Sequence, residues 1–185
     1  MNKINKFNST FKYKLIYIFR INDSNHYGSL KIGDATINTI KDHSELFPNS
    51  RELNFAARER IDTYTSTAGI VYELLHTEIA VYESKGKLKA FRDYQVHSVL
   101  KRSGVKSKFF DTNRTQNEWF ITDLNTAIAA INAVKEGKSA LHSSEITKDR
   151  SPIIFRPEQA DAIHKTITRF KNDTRMLWNA KMRFG

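Results

Sequence analysis

A chain of 185 residues with 39% hydrophobic and 27% charged side chains has enough material for one core of ordinary size and a small element beside it. These fractions exclude a disordered or fibrous chain, and the absence of cysteine excludes disulfides, zinc ribbons and thiol catalysis while fitting a reducing compartment. Thirty Lys and Arg against twenty Asp and Glu give a net charge of +10, which favours a polyanionic partner because each phosphate neutralised releases condensed counterions.

In chain order, residues 1–14 are polar and read as a frayed start with no apolar segment of the signal-peptide kind. Leu15–Ile21 is a β-rich run and Ser29–Ile32 a second, shorter one. The turn-rich Asn22–Gly28 between them predicts the loop of an antiparallel hairpin. These runs are far shorter than the ~20 residues needed to span a bilayer, so a soluble, cytoplasmic protein without a membrane partner is expected. Asp34–Asn49 shows no clear periodicity and predicts a long surface loop. Ser50 then caps a helix to about Tyr64, with Leu53, Ala56, Ala57, Arg60, Ile61 and Tyr64 on one face at three- and four-residue spacing. Ile70–Tyr82, rich in Val, Ile and Tyr, predicts one long strand, and Phe91–Ser103 a helix with Tyr94, Val96, Val99 and Leu100 in helical arrangement. Trp119–Ile121 is a short strand, and Thr122 or Asp123 caps a helix to about Glu136 with Leu124, Ala127, Ile128, Ile131 and Val134 inward. After Gly137 the texture turns polar, which makes 138–152 a linker between a first domain, 1–137, and a short piece of another, 153–185. There Pro157 opens an amphipathic helix to Lys171, and Met176–Trp178 predicts a strand. The expected fold class is α/β of the mixed α+β kind: a small, mostly antiparallel, three-stranded sheet flanked by helices.

The positive charge is unevenly distributed. Lys85, Lys87, Lys89, Arg92, Lys101, Arg102, Lys106 and Lys108 fall between residues 85 and 108, against the single acid Asp93. With Arg58, this run is the expected nucleic-acid-binding face, although a merely solvated basic surface would have the same composition.

Five ordered motifs carry chemistry. The strand Ile16-Tyr17-Ile18, the hairpin return Lys31-Ile32-Gly33, the helix segment Arg58-Glu59-Arg60-Ile61, Asp93-Tyr94-Gln95-Val96-His97 and Glu118-Trp119-Phe120 together resemble the GIY-YIG nuclease superfamily, in its branch of phage and meiotically up-regulated proteins. The resemblance spans about residues 12–136 and implies a three-stranded GIY-YIG-like domain that hydrolyses DNA phosphodiester bonds with Mg²⁺ or Mn²⁺. It places Tyr17 as the base that activates water, a role in which a phenol of ordinary pKa ~10 needs nearby positive charge. It places Arg60 as the planar fork for the scissile phosphate, with Arg58 beside it. Asp93 takes the metal-ligating position. Tyr64, one turn after Arg60, and His97, one turn after Asp93, are the supports, and Lys31 is a charge stabiliser able to lower the pKa of Tyr17. Leu15, Lys31, Asp34 and Asp93 depart from the usual residues of that pattern.

In the last segment, Phe155-Arg156-Pro157-Glu158-Gln159 resembles the entry helix of superfamily 2 helicases and restriction-system motors, which implies an adenine contact for Gln159. Leu177–Gly185 resembles the strand and opening of a phosphate-binding loop that stops before its Lys. The expectation is the N-terminal part of a restriction or phage-defence nuclease–helicase, with ATP bound only in a longer chain. The alternative is a non-catalytic DNA-binding module that delivers such a motor. An RNA-binding or protein-interaction domain fits the charge but leaves Tyr17, Arg60 and Asp93 unexplained. A single nuclease site cuts one strand, so double-strand cleavage requires a dimer or two visits.

Overall fold

Two long strands form the centre of the protein. β1 (Phe11–Arg20) and β2 (Ser29–Thr39) pair antiparallel over Phe11–Phe19 and Lys31–Thr39, with Tyr17 directly opposite Gly33 and Phe19 opposite Lys31. The computed structural model describes residues 11–110, 118–147 and 156–175. Within these, β3 (Glu73–Ile79) pairs with the other side of β1, with a bulge at Ile18/Phe19. β6 (Trp119–Ile121) pairs with Ser29–Lys31 of β2, giving a sheet of order β3-β1-β2-β6 in which every pair is antiparallel. A separate hairpin joins β4 (Val81–Ser84) to β5 (Lys87–Ala90).

Strand geometry alternates side chains between faces, and here both faces are covered. Ile16, Ile18, Leu30, Ile32 and Phe120 pack with Val96 and Leu100 of α2 (Asp93–Arg102) and Ala127, Ile131 and Val134 of α3 (Leu124–Lys135). Leu15, Tyr17, Phe19, Ala35 and Ile37 pack with Leu53, Ala56, Ala57 and Ile61 of α1 (Arg51–Thr65). Double coverage explains why Leu15–Phe19 is an unbroken buried run rather than an alternating one. Each fully enclosed Ile or Leu there contributes about 1.5–3 kcal/mol relative to exposure. Asp123 caps α3 as expected, its carboxylate accepting from the Thr126 N–H at 3.1 Å.

The fold is mixed α+β as expected, but the sheet has four strands, not three. Two predicted stretches account for the other differences. The first part of the expected Asp34–Asn49 loop is strand: β2 runs on to Thr39, with Ala35 and Ile37 inward, and the rest is loop with a short 3₁₀ turn, His43–Glu45. The predicted Ile70–Tyr82 strand breaks at Ala80, whose N–H donates to the Lys14 carbonyl at 2.8 Å and whose carbonyl accepts from Phe91 at 3.0 Å. This passes the chain from the sheet to the hairpin. Lys85 and Gly86 turn that hairpin with φ of 53° and 68°, the left-handed pair that a two-residue connection requires.

The chain divides into two compact units, 1–149 and 150–185. In the second, α4 (Pro157–Arg169) starts at its proline as expected. The predicted Met176–Trp178 strand and the Ala180–Gly185 loop lie outside the described residues. Among the described residues, no helix is long and apolar enough to cross a membrane.

Candidate functional site

Tyr17 sits mid-way along β1, and its position depends on a missing side chain. A Cβ built on Gly33 would lie 2.5 Å from the Tyr17 hydroxyl and 2.6 Å from Cζ, far inside contact distance. Only glycine on β2 lets the Tyr17 ring lie across its partner strand. The hydroxyl then emerges 3.4 Å from that of Tyr64, which α1 projects toward it.

Around this pair, Tyr17, Lys31, Asp34, Arg60, Tyr64, Arg92, Asp93 and Glu118 line a polar cleft of about 240 Å³. β1 contributes the phenol, β2 Lys31 and Asp34, α1 Arg60 and Tyr64, the start of α2 Arg92 and Asp93, and the residue before β6 contributes Glu118. Lys31 pairs with Glu118, and Arg92 pairs with Asp34. Arg60 lies 5.9 Å and Lys31 5.3 Å from the centre of the Tyr64 ring. Among the described residues, Arg60 and Asp93 have no ion-pair partner; Asp93 accepts from its neighbour Tyr94 N–H at 2.8 Å.

The electrostatics order the two phenols. Burial pushes Tyr17 up, opposed by its hydrogen bond with Tyr64 and, more weakly, by Arg60. Tyr64 is driven much higher, by burial and by its bond to Tyr17. Either hydroxyl can donate while both phenols are neutral; once Tyr17 ionises, Tyr64 must be the donor. Lys31, whose charge the sequence reading assigned to lowering Tyr17, is instead engaged with Glu118. Burial and then the like charge of Asp34 raise Asp93, with His97 opposing.

His97 does not line the cleft. It is buried one turn behind Asp93, and its Nε2 donates to the Ile32 carbonyl at 2.8 Å, since that oxygen can only accept. Burial holds its imidazole below the ordinary range, hence neutral near pH 7. It buttresses α2 against β2 rather than facing a ligand. Of the expected basic face, only Arg92 lines the cleft. Lys85, Lys87 and Lys89 belong to the β4–β5 hairpin, Lys101 and Arg102 end α2, and Arg58 interacts with Tyr72 on another side of α1. Gln159 belongs to the second unit, where its side-chain oxygen accepts from the Arg156 N–H at 2.9 Å at the start of α4.

Asp34 and Glu118 are cleft residues that the sequence reading did not assign. Their signal was adjacency, Asp34 following Gly33 and Glu118 preceding Trp119, but their ion-pair partners are 58 and 87 residues away. The donor set suits a hard cation such as Mg²⁺, which takes one or two carboxylates and completes its shell with water and phosphate oxygens. Asp93 is the carboxylate that could hold such an ion: it has no ion-pair partner among the described residues, and burial and then the like charge of Asp34 raise it. No cage of three His, Asp or Glu side chains forms among the described residues.

No protein-family model, curated protein or solved structure matches this chain.

Proposed function

We propose that the cleft hydrolyses DNA phosphodiester bonds with Mg²⁺ or Mn²⁺ as cofactor. One observation carries this reading. Tyr17, Lys31, Arg60, Tyr64 and Asp93, singled out by the ordered motifs, come from four separate elements and line one cleft. Arg60 presents its unpaired guanidinium fork to the phosphate and its developing charge. Tyr17 takes the proton of the attacking water, and Tyr64, donating to the Tyr17 oxygen, favours the ionised form of that phenol. Asp93 would hold the divalent ion, which polarises the phosphate and steadies the leaving oxygen when bound. Glu118 and Asp34 hold Lys31 and Arg92 at the rim. His97 is a positioning residue for α2. In a longer chain, the second unit would begin an ATP-driven motor of the restriction or phage-defence kind, with Gln159 contacting the adenine.

A second reading has its own support. Tyr17 is pushed up, and two of the three cleft cations are already paired with carboxylates. Those features favour a module that binds DNA without cutting it.

Nicking of supercoiled plasmid with Mg²⁺ or Mn²⁺ tests the choice, comparing the native chain with Tyr17→Phe and Asp93→Ala. Metal-dependent nicking lost in both variants is expected. Nicking unchanged in Asp93→Ala would overturn the catalytic reading. DNA binding that persists in EDTA, with no cleavage under either metal, would favour the binding module.

A further inference from the structure

We infer that an aromatic and basic surface beside the cleft holds unpaired bases, so that the substrate is DNA with a single-stranded or splayed segment next to the cut. This rests on the reading of the cleft as the seat of a DNA phosphate. Register places the surface: Phe19, Lys31 and Trp119 lie opposite one another on β1, β2 and β6, on the face that carries Tyr17. Tyr17 is two residues away along β1, about 7 Å at strand spacing, or about two base steps of a stacked strand.

On the far side of Trp119, the loop after β1 and the segment before residue 111 build an ordered ring cluster. His26 lies 4.4 Å from Phe110 and 4.7 Å from Trp119, centre to centre, and Phe110 meets Trp119 edge to face at 5.5 Å. Asp23 holds His26 through Nδ1 at 2.8 Å, which fixes the ring that the others pack on. Lys108 lies 5.5 Å over the Phe110 ring and donates to the Tyr27 carbonyl at 3.3 Å. Yet Tyr27 is 72% exposed, Phe109 59% and Phe110 49%.

Three exposed aromatics on two segments that Lys108 ties together, with Lys106 two residues before it, are not core packing. The lysines argue against an apolar protein partner and for a phosphate backbone. Rings of this kind engage bases only when their π-faces are free, as in single strands, and not when they are stacked inside a duplex. The β2–β6 strand pair, which holds Lys31 and Trp119 together, fixes the distance between surface and cleft.

The test measures fluorescence anisotropy of the full chain in EDTA with two probes: a short 5′-labelled single-stranded DNA of mixed sequence, and the blunt duplex of that sequence. Phe110→Ala and Tyr27→Ala should each weaken single-strand binding about tenfold and leave duplex binding within about twofold. Phe110→Trp, which retains a ring face, should restore the single-strand affinity. Because Tyr27 is largely exposed, its variant gives the same comparison should Phe110→Ala perturb folding. Undiminished single-strand binding in both alanine variants, or equal loss on both probes, would overturn the inference. EDTA keeps the result independent of cleavage. Selective loss in a chain that does not nick supports the base surface while the nuclease reading fails; nicking without selective loss fails the base surface alone.

Discussion

Glu78 on β3 and Asp93 at the start of α2 are carboxylates in poorly solvated surroundings, and their environments drive them in opposite directions. Glu78 is buried, paired with Lys135 from α3, and 3.3 Å from His76 Nε2 on its own strand. These partners outweigh desolvation and hold its carboxyl below the ordinary range. Asp93 has a backbone N–H and the like charge of Asp34, and is held above that range. Nearby, Asn49 and Asn54 close the remaining polar positions on β3 through the Thr77 N–H and hydroxyl. A closed charge network of this sort locks strand to helix, whereas a carboxylate left short of cations is poised for a ligand. The difference lies in what surrounds each group more than in its depth, and substitutions separate the two.

The largest effect is expected at the open carboxylate. Asp93→Asn should lower metal-dependent nicking about a thousandfold, or ~4 kcal/mol in barrier height, measured as initial rate at saturating metal. Glu78→Ala should do the reverse, costing about 3 kcal/mol of stability by stranding Lys135, while the folded fraction cuts at the native rate; urea denaturation checks the first part. Gly33→Ala should cost about 1–3 kcal/mol and depress nicking as well, because the added methyl displaces the Tyr17 ring rather than any charge.

The smallest effect concerns pH. Glu78 is depressed on folding, so its stabilisation is present above its unfolded value of 4.5 and is lost as pH falls through the lower folded one. Asp93 is raised, so its ionisation opposes folding; the advantage it gives below its unfolded 3.8 is lost as pH rises through the folded value. Asp93→Asn should therefore raise Tm slightly at neutral pH, a gain that vanishes in acid. Thermal melts of both variants across pH would reveal the opposite slopes.

Most of the scaffold was legible in the residues. The Asn22–Gly28 loop fixes the β1–β2 register, which sets Tyr17 against Gly33, and helical spacing put Arg60 and Tyr64 on one face of α1. What escaped depended on tertiary partners. Asp34–Thr39 alternates for too few residues to stand out from the aperiodic stretch that runs on to Asn49, and becomes strand because β1 pairs with it. Ala80 breaks the third strand through hydrogen bonds to Lys14 and Phe91, which no local pattern shows. Lys85 read as one of a row of cations, when its place beside Gly86 makes it the turn of a hairpin. The ion pairs of Asp34 and Glu118 join residues too far apart in sequence for any spacing rule to reveal.

The cleft gathers Lys31, Arg60 and Arg92 with Asp34, Asp93 and Glu118, three formal positive charges against three negative, in a chain whose surplus is +10. The surplus therefore lies wholly outside the cleft. Under the proposed function, attraction over distance and chemistry at the phosphate then belong to different sets of side chains. Added salt would weaken capture of the polyanion, raising KM, and leave kcat nearly level, because the groups around Tyr17 balance one another at close range.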